Sequence, residues 1–191
     1  MGQLNLKKVL LATFLGSLVM FMWGGLSHTV IFVGTGFKPM PNEDKVMAVL
    51  KENISEQGLY FFPGKDFKNS TKEQDFAFEN KFKTGVVGQL IYRPIGGNVF
   101  STGKLLTQFI SNIFSVFIIV LIASLIALNY WKRVVLISLL GLLSCLSVST
   151  IYWNWYEYPT SFFVAQILDI TIGFFLAGMV VAKFKLNSTN N

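Results

Sequence analysis

Few side chains in this sequence could do chemistry, and most of those lie in apolar surroundings. Asp169 is the only charged residue between Tyr158 and Ala182. A carboxylate at the centre of a bilayer-spanning helix costs on the order of 2.5–3.5 kcal/mol, so it must face protein or water. Gln166 and Gly173 lie three and four residues away, on the same helix face as Asp169. Gln108, Ser111, Asn112 and Ser115 repeat that spacing in a second apolar run, and Ser144, Ser147, Ser149 and Thr150 occupy a third. Gly24, Ser27 and His28 close the first. His28 is the single histidine and Cys145 the single cysteine, so multi-histidine zinc or haem sites, internal disulfides and CxxC redox centres are all excluded.

Two chemistries suit Asp169. A carboxylate–imidazole pair with His28 could carry a proton or orient a base. A polar latch to Asn112 or Gln108 would instead hold two helices together. At about 1.5 Å per residue, Asp169 sits about 20 Å, and His28 about 28 Å, from the side on which the first helix starts. That gap of about 8 Å exceeds a hydrogen bond, whereas Asn112 matches the depth of Asp169, so the latch is the expectation. His28 is then read as an interfacial residue capping its helix, and Cys145 as a small packing residue. The sequence has no Ser/His/Asp order, phosphate loop, GxGxxG fingerprint or HExxH motif, and Gly85-Val86-Val87-Gly88 lacks the lysine of a phosphate loop.

The elements that must position these residues follow from composition. The 191 residues are 52% apolar and only 14% charged, with a mean hydropathy of +0.53. A soluble domain carries about 25% charged residues, so a soluble globule, a disordered chain and a nucleic-acid module are excluded. The uncharged runs predict four transmembrane helices over Val9–Ile31, Leu105–Tyr130, Val134–Tyr152 and Ser161–Ala182, each near the roughly 20 residues that cross about 30 Å of hydrocarbon. All five prolines fall outside them. Lys7 and Lys8, Lys132 and Arg133, and Lys183 and Lys185 flank the spans on one side, which the positive-inside rule makes cytoplasmic. Those six charges equal the formal excess of +6, because the remaining ten basic residues balance ten acidic ones. The basicity is therefore a topology signal and not a polyanion-binding patch. The first span has no A-x-A-like site after it and is longer than a signal core, so a retained anchor is expected. The aromatic residues from Tyr152 to Tyr158 read as an anchor at headgroup depth.

Between the first two spans lies the one sizeable polar segment. Asn42, followed by Glu43 and Asp44, reads as a capped helix start, and Val46, Met47, Leu50 and Ile54 as its apolar face. Leu59–Phe62 and Val86–Tyr92 read as strands of a hairpin, and the polar stretch Lys65 to Lys83 as a mobile loop.

Phe21-Met22-Trp23-Gly24-Gly25-Leu26-Ser27-His28, Pro41-Asn42-Glu43-Asp44, Gly58-Leu59-Tyr60-Phe61-Phe62-Pro63-Gly64 and Tyr92-Arg93-Pro94 together resemble an uncharacterised family of small bacterial membrane proteins. The resemblance spans the first half of the chain and implies a bacterial inner membrane, with no named activity and no site residues to carry over.

The expected molecule is thus an all-α integral membrane protein of four transmembrane helices with a small α+β extracytoplasmic insertion. Its segments are 1–33 (cytoplasmic N-terminus and first helix), 34–104 (extracytoplasmic domain) and 105–191 (three helices and a cytoplasmic C-terminus). The leading expectation is a non-enzymatic interaction, assembly or sensing component. The alternative is a small transporter or membrane-embedded enzyme with an outward-facing polar pocket around Asp169. Asp169, Asn112, Gln108, Gln166 and His28 are the candidate residues. No cofactor, metal or nucleic acid is expected. The expected partners are the lipid bilayer, a protein met by the extracytoplasmic domain, and a second copy should a transport path be needed.

Overall fold

The computed structural model describes residues 4–186. Both chain ends, whose side of the membrane the basic residues predict, lie outside them. Four long helices dominate: α1 (Leu6–Leu26), α4 (Thr102–Leu125), α5 (Tyr130–Trp155) and α6 (Thr160–Val181). With mean hydropathies of 1.9, 2.3, 2.4 and 2.0, they are long and apolar enough to cross a membrane. Polar residues start three of them. The side chains of Asn5, Ser101 and Asn129 accept the backbone N–H groups of Lys8, Lys104 and Lys132 at 3.1, 3.3 and 3.0 Å, taking donors that a helix start leaves free. Asn129 also explains why α4 stops at Leu125 and not at Tyr130. Its cap position needs an extended backbone, so the uncharged run breaks there without glycine or proline. α1 passes into a π-helical turn, Ser27–Ile31, before leaving the bundle.

The chain forms two compact units, 1–37 with 99–191, and 38–98. In the first, α1 packs on α4 and α6, α6 also packs on α5, and α4 touches α5 only slightly. Small residues set these distances. A Cβ on Gly16 would meet Val116 at 2.9 Å and Val181 at 3.2 Å, and one on Gly141 would meet the Phe174 Cβ at 2.5 Å. Val9, Ala12, Val116, Val120, Ile137 and Val181 form the dry core, all toward the end that carries the basic residues. There the Asn5 N–H donates to the Leu186 carbonyl at 2.9 Å, and the Arg133 guanidinium to the Phe184 carbonyl at 2.8 Å. At the opposite end, Gly36 with φ +83° folds against Phe162, in space and geometry closed to any side chain.

The second unit holds α2 (Glu43–Asn53), β1 (Gly58–Phe62), α3 (Lys72–Thr84) and β2 (Gly88–Tyr92). The strands pair antiparallel with Tyr60 opposite Leu90. They are not a hairpin, because α3 lies between them in the chain. That helix corrects the loop expected over Lys65 to Lys83. Thr71 and Gln74 form a reciprocal capping box, acids fill its first turn and lysines its last. Phe67, Phe78 and Phe82 meet edge-on or tilted at ring distances of 5.9 Å, and Lys65 reaches over the rings of Phe67 and Phe78 to Asp75 at 2.8 Å. Asn42 does not cap α2 with its side chain; it takes a left-handed backbone at φ 51°.

Phe174 meets Gly141 at its own Cβ and cannot swing away, so Gly141→Ala should destabilise the bundle by about 1–3 kcal/mol in a detergent melting curve. Gly24→Ala, with open space around it, should stay within about 1 kcal/mol of wild type. In the second unit, Asn69 and then nearby backbone N–H groups hold the Asp66 carboxyl below its usual value, and the Lys65 ammonium and then the Ser70 hydroxyl do so for Asp75. Their folded values are depressed, so the stabilisation is complete above the ordinary value of 3.8 and fades as pH falls through the folded ones. Amide exchange of α3 should therefore be flat from neutral pH down to about 5 and quicken, relative to its intrinsic rate, only below about 4.

Candidate functional site

α1 and α6 run antiparallel, with Gly16 against Ala177 and Val181, and Trp23 over Gly173. Four residues before Gly173 on the same face stands Asp169, about nine-tenths buried. The Trp23 indole N–H donates to the Asp169 main-chain carbonyl at 3.0 Å, fixing the two helices in register. Above this contact, His28 Nε2 stands 3.3 Å from Asp169 Oδ2. The histidine side chain is 63% exposed and the aspartate side chain only 12%, so the pair joins a buried carboxylate to an accessible imidazole.

His28 thus meets Asp169 across the gap of about 8 Å expected from their depths, which corrects the expected separation of the two. That gap lies between backbones, and helical side chains lean toward the N-terminus of their own helix. On antiparallel helices His28 leans down and Asp169 leans up, and the two side chains close the gap. The expected latch is corrected with it. Asn112 does not hold Asp169; its Oδ1 accepts from the Gln108 amide within α4 at 3.0 Å. The α1–α4 tie is made by the Ser17 hydroxyl, which donates to the Thr13 carbonyl at 2.6 Å and reaches the Asn112 carbonyl at 3.4 Å. Asp169 Oδ1 is buried with no hydrogen-bond partner.

Because α4 and α5 barely touch, a cleft opens between them, backed by α1 and α6. It holds a cavity of about 500 Å³ lined by Asp169, His28, Asn112, Gln108, Ser115 and Ser144, among others. A smaller cavity of about 280 Å³ adjoins His28 and Asp169 and is lined by Gln166 and Phe162. Of the five candidates, Asp169, His28, Asn112 and Gln108 thus share one cavity, while Gln166 lies in the other with His28 and Asp169. Ser147 stays outside, its hydroxyl returned to the Leu143 carbonyl at 2.8 Å. Cys145 is buried, with its sulfur 3.4 Å from the Ser149 hydroxyl.

Sequence reasoning missed Trp23, Phe100 and Phe174 as cavity walls. Trp23 could have been found: an indole in the outer third of a span needs a buried acceptor for its N–H, and a nearby helix must supply it. Among the described residues, no three acidic, histidine or cysteine side chains gather to hold a metal. No protein-family model, curated protein or solved structure matches the chain; the chemistry of the site is carried by its own geometry.

A double-mutant cycle should detect the pair. Melting curves for His28→Ala, Asp169→Asn and the double variant should give a coupling of about 0.5–1 kcal/mol, the range for exposed or intramembrane polar pairs. Strictly additive effects would show that the two side chains do not interact.

Proposed function

We propose that this protein is a non-enzymatic, multi-pass component of the bacterial inner membrane, with both termini cytoplasmic and a sensing role centred on the Asp169 cavity. Orientation is supported by the gathering of Lys7, Lys8, Arg133 and Lys183 at one end of the bundle, tied there by the Asn5–Leu186 and Arg133–Phe184 hydrogen bonds. The observation that carries the sensing role is the cavity of about 500 Å³, which falls within the 300–1,000 Å³ typical of small-molecule sites and combines apolar walls with a few convergent polar groups. On this reading the second unit lies on the extracytoplasmic side and meets a protein partner, with the bundle responding to what enters the cavity.

A transport path or embedded enzyme is the second reading. Its support is that His28 and Asp169 line both cavities, so that the pair stands between them. A proton exchanged within the pair would then alter the passage from one to the other.

Cysteine accessibility tests the leading reading. With Cys145 replaced by alanine, a membrane-impermeant maleimide added to intact spheroplasts should label Asn69→Cys in the second unit and Ser111→Cys in the cavity. It should leave Lys183→Cys and the outward-facing Leu139→Cys of α5 unlabelled. Labelling at Lys183 would reverse the orientation, and silence at Ser111 with labelling at Asn69 would close the cavity to water.

A further inference from the structure

The cavity has an uneven chemistry. Among the described residues that line it, Asp169 is the only acid and His28 the only base. His28 approaches from the accessible edge, while the carboxylate is set deep, with one oxygen 3.3 Å from the imidazole and the other without a donor. Lys104, at the start of α4, donates to the Val99 carbonyl at 3.1 Å and is not among the lining residues. The Gln108 amide N–H₂ donates to Asn112, leaving the Gln108 carbonyl as a further acceptor. Around these acceptors stand the rings of Phe21, Trp23, Phe100 and Phe174.

From this arrangement we infer that the cavity binds an organic cation, a protonated amine on an apolar or aromatic body, with Asp169 as its counter-ion. The inference rests on the cavity reading above. An anion would meet the carboxylate with only an exposed imidazole to offset it. A neutral alcohol could donate one hydrogen bond but would leave the charge uncompensated in a low-dielectric site, where charge-assisted bonds are the strong ones. An ammonium supplies both charge and donors, and the aromatic faces favour a cation held over them. The imidazole marks where the ammonium docks: a cationic donor at that position meets the same Oδ2. Ligand and imidazole therefore compete for one carboxylate oxygen.

Three probes of nearly one shape test the class: phenethylamine, phenethyl alcohol and phenylacetate, titrated against the full chain in lipid nanodiscs. Phenethylamine should raise the melting temperature saturably and protect Ser111→Cys from maleimide, while the alcohol and the acid do neither. Asp169→Asn should weaken the amine by about tenfold or more, the worth of a hydrogen bond to a charged group. Should Asp169→Asn fail to fold, the Ser111→Cys protection assay carries the test with Asp169 intact. Equal protection by alcohol and amine, or an amine affinity unchanged in Asp169→Asn, would overturn the cation assignment and leave the cavity reading standing. Maleimide labelling of Ser111→Cys that the amine does not slow would overturn the assignment in the same way. Absence of any labelling at Ser111 would overturn the cavity reading itself.

Discussion

The close approach of α1 and α6 is the constraint on which the rest of this molecule depends. Where Gly16 faces Ala177 and Val181, and Gly173 faces Trp23, the helices come near enough for an indole to reach a main-chain carbonyl across the interface. In an apolar bundle there is no hydrophobic gain in bringing two helices together, because lipid tails are as apolar as leucine. Small residues that allow backbones to touch, and polar groups that find partners across the gap, must do that work. With Trp23 fixed on α6, His28, five residues further along the chain, stands beside the Asp169 side chain. The register of a single pair of helices therefore decides which side chains share a site.

The same rule accounts for the opening between α4 and α5. Each packs against the central pair, α4 on α1 and α5 on α6, and the two touch each other only slightly. Asn112 and Gln108 bond to each other along α4, so neither amide is spent on a tie to α5. A cleft with largely apolar walls, set with a few amides, hydroxyls and one carboxylate, is what remains. The π-helical turn Ser27–Ile31 adds to this at the end of α1, where a widened turn holds His28 at the edge of the cleft. Such turns recur at functional sites.

Much of this was legible in the residues, and the failures are physical ones. The four apolar runs and the isolation of Asp169 follow directly from the cost of charge in hydrocarbon, which leaves few alternatives. The end of α4 is hidden in the sequence because an asparagine cap, unlike proline or glycine, is silent in a hydropathy profile. Polar composition hides α3, although the Thr71–Gln74 capping box is a short-range signal that specifies a helix even in a charged segment. The partner of Asp169 is hidden because depth along a helix axis locates the backbone. Which way a side chain leans depends on chain direction, and direction was already known from the order of the spans. No pattern in one sequence marks the splay of α4 from α5, since that depends on which neighbours each helix fails to find.

The distribution of packing has a mechanical consequence. The dry core built on Val9, Val116, Ile137 and Val181 lies at one end of the bundle, and the cavity with its polar lining lies toward the other. Densely packed interiors resist deformation, whereas a cleft bounded by two helices with little contact does not. α4 therefore acts as a lever, clamped at the basic end and only lightly held against α5 at the other. The outer end of α5 is tied to α6, with Trp153 stacked on Phe163 at 4.9 Å and its indole N–H donating to Thr160 at 3.2 Å, so a change in spacing at the cavity moves the tip of α4 further than that of α5. The tip of α4 leads back into Ser101, and the displacement is delivered to the loop before it, far from the clamp.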